Sequence, residues 1–303
     1  MRIKEYSSAL ILIATLTGCV TMPTGKISKS GKEMIIQQCK DIEKKLNCRI
    51  ALAFEDLQTG KKINYRATEV YHPASLMKVP VMIEVFKQID EGKFKLEDTF
   101  PVHKDFVSIA SGKKFDCDGY KEMESLVGKD TTCRRLIELM IQVSDNLATN
   151  LLVEKVGAKN ITQTIKKMGT KHTLVKRGVQ DLDAFAVGMN NQTCALDMTL
   201  LMKQIAKGKV VNSIASREMM DILLGQEYNT LIPKLLPQTV KVAHKTGSIE
   251  QIEHDSAIII DGDKSYVLTL LSDKLEDMNA GKEEIANLSL SIYNLWKAGK
   301  LAS

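Results

Sequence analysis

The chain has 303 residues, 44% hydrophobic and 26% charged, and 42 Lys and Arg against 37 Asp and Glu give a formal net charge of +5. That length holds one large domain or two intimate subdomains with a full core, and the balance is that of a globular protein. The charge is modest and no Lys/Arg run is interleaved with aromatics, so nucleic-acid binding has little support; no internal repeat or long low-complexity segment is present.

The N-terminus reads as a targeting segment. Arg2 and Lys4 precede an apolar stretch, residues 9–16 (ALILIATL), which is too short to span a bilayer. It runs into Leu16-Thr17-Gly18-Cys19, a lipobox-like sequence. Residues 1–18 are therefore expected to be a lipoprotein signal peptide, with Cys19 lipidated at a membrane surface. A plain secretory signal with an incidental cysteine is the alternative. Residues 19–31, rich in Gly, Ser, Thr and Lys, are expected to form a tether. The expected location is outside the cytoplasm, anchored to the cell envelope.

Five further cysteines remain: Cys39, Cys48, Cys117, Cys133 and Cys194. Cys39–Cys48 and Cys117–Cys133 are the local candidates for disulfides, with buried free thiols as the equal alternative. None has CxxC spacing. The histidines (His72, His103, His172, His244 and His254) form no HExxH or comparable cluster, so no metal and no cofactor is expected.

In chain order, a helix-period pattern comes first, with Met34, Ile35, Cys39, Ile42 and Leu46 on one face. Residues 49–55 alternate as a strand, and a turn at 58–60 leads to a second strand through Ile63 and Tyr65. The middle reads as helices over 76–90, 132–143, 147–156, 161–168, 195–206 and 216–224. Strands return at 240–243, 256–260 and 266–271, and a last amphipathic helix covers about 282–296. The predicted class is α/β (α+β): an antiparallel sheet flanked by N- and C-terminal helices, plus an all-helical lobe. Residues 32–70 together with 225–303 would form the α/β subdomain and 71–224 the helical one, with a ligand cleft between them.

The chemistry is carried by three short stretches. Within HPASLMKVP (72–80), Ser75 and Lys78 lie three apart at a helix start, on one face. Serine is a weak nucleophile and needs a base at hand, and a helix N-terminus offers N–H groups to an oxyanion. A bare SxxK is weak, since about one is expected by chance in a chain this long. Ser144-Asp145-Asn146 falls at a break between two helices, and Lys245-Thr246-Gly247-Ser248 follows a strand. Singly, these read as a helix cap and a strand-end turn. In the order SxxK, SDN, KTG they point together to a serine acyl-enzyme site.

On these motifs, with VSDNLATNLLVEKVGA (143–158) and VAHKTGS (242–248), the chain resembles the penicillin-recognising serine enzymes. Within them it is similar to the class A β-lactamases, over about residues 32–296. The resemblance implies that Ser75 is acylated, with Lys78 its proton acceptor, and that Ser144 passes a proton to the leaving nitrogen. It implies further that Asn146 holds the substrate's amide side chain and that Lys245 and Thr246 bind its carboxylate. The N–H groups of Ser75 and Ser248, beside Gly247, would form the oxyanion hole. Ser248 and His254 are further carboxylate candidates, with a turn role for His254 as the alternative.

The family's loop glutamate, which activates the deacylating water, has no counterpart: its position falls on Val179 or, with one residue of slippage, on Gln180. Asp181 is the nearest substitute base, with Asp183 beyond it; backbone binding within the loop, or pairing with Arg177, is the alternative for both. The expected function is opening of β-lactam amides, slowly if deacylation lacks a base. A D,D-carboxypeptidase or endopeptidase on peptidoglycan stem peptides is the second reading, and a sensor without turnover the third. Serine glutaminases share the fold and an SxxK serine, but an exported lipoprotein does not suit glutamine metabolism. The expected partners are a small-molecule β-lactam or stem peptide and, through Cys19, a membrane, with the protein a monomer.

Overall fold

The computed structural model describes residues 30–301. The expected signal peptide, Cys19 and most of the expected tether lie outside the described residues. The first helix, α1 (Gly31–Leu46), starts on a reciprocal cap. The Glu33 N–H donates to the Ser30 hydroxyl (3.2 Å), and the Ser30 N–H donates to the Glu33 carboxylate (2.9 Å). Ser30 and Gly31, the last two residues of the expected tether, thus belong to the start of α1.

Strands β1 (Arg49–Asp56) and β2 (Lys62–Tyr65) follow. A 3₁₀ turn (Ala74–Met77) leads into α2 (Lys78–Asp90). Short elements come next: β3 (Thr99–Pro101), β4 (Asp105–Val107), β5 (Lys114–Asp116), α3 (Lys121–Ser125) and β6 (Asp130–Thr132). Then come α4 (Cys133–Gln142), α5 (Asn146–Val156), α6 (Ala158–Lys167), α7 (Leu182–Ala186), α8 (Ala195–Ala206) and α9 (Ser213–Leu224). The chain closes with β7 (Lys241–Ile249), β8 (Ile252–Asp261), β9 (Lys264–Asp273) and α10 (Met278–Lys297).

The two ends of the chain meet in one five-stranded antiparallel sheet, ordered β2-β1-β9-β8-β7. Strand alternation divides its side chains between two cores. Ile50, Leu52, Phe54, Ile259 and Leu268 face α1 and α10, joined by Ile35, Ile285 and Trp296. Ala51, Ala53, Ala243, Ile258 and Val267 belong to the core shared with the helices of the middle segment. The small alanines leave room for α8, whose Thr199 hydroxyl donates to the Ala53 carbonyl (3.2 Å).

The lobe between the chain ends is built on α2, which is buried nearly all round, as a central helix must be. Its few polar groups are paired: Glu84 accepts from Gln88 (2.8 Å) and from the Thr164 hydroxyl of α6. The lobe is not all-helical. It carries two two-stranded ladders, β3–β6 and β4–β5, each of three residue pairs. Strands of three residues, none of them fully buried, give no readable alternation. All five described cysteines are buried free thiols, so neither local pair is bridged.

Gly31 is buried against the C-terminal segment: a Cβ there would lie 2.2 Å from the Lys300 carbonyl oxygen. Gly31→Ala is therefore expected to force the first and last segments apart. Overpacking of this kind costs about 1–3 kcal/mol, or roughly 3–10 °C in Tm for a protein of this size. Calorimetry that finds Tm unchanged would remove this contact from the fold.

Candidate active site

A cleft of about 490 Å³ opens where the sheet edge meets the lobe, and all three sequence motifs contribute to its surroundings. Ser75, half-buried, stands on the 3₁₀ turn, and Lys78 is the first residue of α2. In a 3₁₀ turn side chains at i and i+3 eclipse, so this turn brings Ser75 and Lys78 into line. Pro80 falls in the first turn of α2, where a missing N–H leaves no helical bond unmade.

Lys78 is fully buried. Its Nζ donates to the Ser144 carbonyl (2.7 Å), to Asn146 Oδ1 (2.9 Å), to Ser144 Oγ (3.2 Å) and to the Asp145 carbonyl (3.4 Å). The SDN stretch can converge on one amine because Ser144 takes a left-handed conformation, φ 58°. Asp145 then caps α5, its carboxylate accepting from the Ala148 N–H (2.6 Å) and from the Tyr120 N–H.

Lys245 is also fully buried, and it donates to the same Ser144 Oγ (3.0 Å) and to the Thr246 carbonyl (2.9 Å). One hydroxyl oxygen therefore joins two buried amines. Burial pushes the Lys78 ammonium down to about 7, against the opposing pull of Asp145. Lys245 is pushed well below the ordinary lysine range by burial and then by Lys78, with Asp255 opposing. The pair carries less than two full charges near neutrality. A lysine so poised can accept a proton as well as donate one.

The KTG stretch continues β7 rather than turning away from it. Gly247 packs against the serine turn: a Cβ there would lie 3.1 Å from the Pro73 carbonyl and 3.2 Å from the Leu76 nitrogen. Because β7 is an edge strand, part of its backbone faces the cleft instead of a neighbour. Ala74 (φ 45°), Ser144 (φ 58°) and Gln180 (φ 61°) all line the cleft in left-handed conformations that non-glycine residues rarely adopt. Each costs on the order of 1–3 kcal/mol, and such strain clusters at functional sites.

His254 and Asp181 do not fit their expected roles. His254 is fully buried and does not line the cleft. The Ser272 N–H donates to its Nδ1 (3.1 Å), which puts the ring proton on Nε2, bonded to the His72 carbonyl (2.9 Å). Burial pushes its pKa down to about 4, although the His72 and Glu253 carbonyls oppose this. A neutral, enclosed ring offers no cation to a carboxylate.

Asp181 caps α7, accepting from the Ala184 N–H (3.0 Å) and from the Ile109 N–H (3.0 Å). Burial alone would raise its pKa, but the hydrogen bonds from Ala184, Ser108 and Ile109 and the charge of Arg177 hold it below the usual range. A carboxylate stabilised in this way is a poor general base. Asp183 is likewise engaged, by the Ser111 hydroxyl (2.5 Å).

The loop is held by Asn150, which the sequence had not singled out, and by Arg177, expected only as a partner for the loop aspartates. Asn150 clamps Val179 on both sides, accepting from its N–H (2.7 Å) and donating to its carbonyl (3.0 Å). Arg177 donates to three acceptors within the loop, the Met189 carbonyl (3.1 Å), the Gly178 carbonyl (3.0 Å) and Asn190 Oδ1 (2.9 Å). Asn150 lies one helical turn beyond Asn146 on α5, the only signal in the sequence that could have drawn attention to it. Among the described residues, no group of three or more His, Cys, Asp or Glu is placed to hold a metal ion.

Asn150→Ala should release both bonds to Val179, at about 1–3 kcal/mol for buried groups left unpaired. Amide hydrogen exchange over residues 176–182 is then expected to speed up markedly while β1 and β9 stay protected. Exchange unchanged in that loop would show that the clamp does not hold it.

Comparison with known proteins agrees with this geometry. The model of the Beta-lactamase enzyme family matches residues 34–296. A β-lactamase of Rhodobacter capsulatus is 28% identical over 191 residues, covering 61% of this chain and 62% of that protein, so the match spans less than two thirds of its length. The β-lactamase ROB-1 of Haemophilus influenzae is 25% identical over 287 residues, covering 89% of this chain and 90% of the relative. Among solved structures, a variant of PBP-A, captured as an acyl-enzyme complex with penicillin G, has the same fold. Its TM-score is 0.77 at 24% identity, over 88% of this chain and 96% of that one. The chain belongs to the β-lactamase enzyme family.

Proposed function

We propose that the protein is a serine hydrolase that opens β-lactam amides through an acyl-enzyme on Ser75 and frees the product slowly. The observation that carries this reading is the Ser144 hydroxyl shared between buried Lys78 and Lys245 at the cleft that Ser75 lines. Neutral Lys78 takes the Ser75 proton as Oγ attacks the lactam carbonyl. Ser144 relays a proton to the departing nitrogen, and Lys245 replenishes it or holds the substrate carboxylate with Thr246. The N–H groups of Ser75 and Ser248 receive the oxyanion.

Hydrolysis of the ester needs a base for water. Three carboxylates line the cleft: Asp118, Asp145 and Asp181. Asp145 and Asp181 are bound to backbone N–H groups, and Asp118 stands at the exposed rim beside Lys104 (3.5 Å). The clamped loop position is Val179, which cannot accept a proton. The same observation favours a second reading, a D,D-peptidase on stem peptides. There the leaving amine departs from the site and opens room for water or an acceptor, whereas the opened β-lactam stays attached.

The protein is further proposed to act as a monomer held at the cell envelope through lipid on Cys19. The apolar stretch and lipobox-like residues 16–19 support the anchor. Cys19→Ser should then move the protein from the membrane fraction to the soluble one; membrane retention would rule out this anchor.

Three outcomes test the chemistry. Intact-mass spectrometry with excess benzylpenicillin should show a long-lived adduct while free penicilloate accumulates slowly past one equivalent, and Ser75→Ala should remove the adduct entirely; penicilloate that stops at one equivalent or below would favour the D,D-peptidase reading. Labelling that survives Ser75→Ala would reject the nucleophile. Because Lys78 accepts a proton only when neutral, the acylation rate should rise with pH, about tenfold per unit below about 7, and level off above it. A rate falling over that range would exclude Lys78 as acceptor. Val179→Glu should raise turnover by about 10²–10⁴, the usual contribution of a positioned general base; no gain in penicilloate release would show that deacylation is limited by something else.

A further inference from the structure

Ser248 faces Glu253 directly across the β7–β8 ladder, so their side chains share one face of the sheet, the face toward α10. Ser248 lines the cleft, while Glu253 beneath it is only 1% exposed. The Ser248 hydroxyl donates its proton to Glu253 Oε1 (3.0 Å), and Lys282 of α10 approaches the same oxygen (3.3 Å). A serine hydroxyl has one proton to give. While Glu253 is ionised, that proton points away from the cleft, and Ser248 presents only lone pairs to a ligand.

We infer that Glu253 is a specificity-determining positioning residue, which lets Ser248 bind a substrate carboxylate only when Glu253 takes up a proton. The inference rests on the serine acyl-enzyme reading above and adds to it a control over which substrates the cleft accepts. In the proton-loaded state the relay runs in reverse: the Glu253 carboxyl donates to Ser248 Oγ, and the Ser248 O–H donates to the substrate carboxylate. No bond other than hydrogen bonds changes; one proton is taken from solvent when the anionic substrate binds. A substrate without a negative charge at that end needs no such uptake.

The surroundings favour this exchange. Burial raises the Glu253 pKa, against Lys282 and the Ser248 hydrogen bond, while Asp255 on the same strand adds to the rise. From β9 the Ser272 hydroxyl donates to the Glu253 carbonyl (2.6 Å) and so fixes the backbone, not the carboxyl. Lys245 is the other ionisable side chain that β7 contributes near the cleft. A substrate carboxylate brought to Ser248 is a like charge beside Glu253 and raises its proton affinity further.

The test compares acylation of Ser75 by benzylpenicillin and by its uncharged methyl ester, from pH 5 to 9, read by intact mass. Taking the ratio of the two rates cancels the titration of Lys78, which both share. In the native protein the ratio should fall as pH rises. In Glu253→Gln only the part of the fall that Lys245 causes by losing its charge should remain, and at the alkaline end the ratio should be about tenfold higher than in the native protein, the factor of one pKa unit of differential interaction. Lys282→Met removes the cation that favours the ionised carboxylate, so the fall should move to higher pH. In Ser248→Ala the Glu253→Gln change should lose its effect on the ratio. A merely structural Glu253 would lower both rates together and leave the ratio untouched; a pH-independent native ratio, or that parallel loss, overturns the proposal. If neither compound acylates Ser75 while the protein is folded, the serine reading fails first and this inference falls with it.

Discussion

Everything around the cleft answers to one difficulty: two lysine side chains are fully buried, and among the described residues neither has a carboxylate in direct contact. An unpaired ammonium in such a place is strongly disfavoured, and the fold meets the problem without an ion pair. It gathers neutral oxygens instead. Ser144 must turn left-handed so that its carbonyl and hydroxyl reach the same nitrogen, and α5 must begin at Asp145 so that the Asn146 amide reaches it as well. The carboxylates of Asp145 and Asp255 act from a distance, opposing the loss of charge without bonding to the amines. The outcome is an amine close to neutrality beside a serine, which is what acyl transfer needs.

The sheet and the helices that build this arrangement were largely legible. The amphipathic period of α1, the alternation of β1 and the long apolar runs of β8 and β9 state their roles locally, because α1 buries one face and these central strands bury both. The three motifs were legible as a set, since their order and context excluded coincidence. Hidden from the sequence were features decided by distant contacts. The β3–β6 and β4–β5 ladders are too short to show a period. The fate of His254 depends on a carbonyl 182 residues away. Asp181 reads equally as a base or as a loop-binding carboxylate until Ile109 is brought against it from the β4–β5 hairpin. In both cases the residue type suggested chemistry, and the neighbours used it for structure.

The loop at 176–191 shows how the two demands can be separated. Its conformation is carried by Asn150, Arg177, Asn191 and Asp181, all of which bond mainly to backbone. The Val179 side chain contributes only packing, so the loop is held in shape by residues other than the one that a hydrolytic base would replace. Shape and reactivity in this segment are therefore nearly independent, as they are not at Ser144, where one side chain and one strained backbone serve both.

The contact of Gly31 with the Lys300 carbonyl has a topological consequence. Residues 30 and 301 leave the described fold at one corner, with both neighbouring helices packed over the same sheet face. A short peptide could join these two points and the chain be reopened in an exposed turn, such as Gly262 between β8 and β9, without moving a strand. Such a circular permutant would keep its sheet order while exchanging which segments are made first. In the native order, by contrast, β1 emerges early and waits for β9, more than 200 residues later, before the sheet that supports the cleft can close.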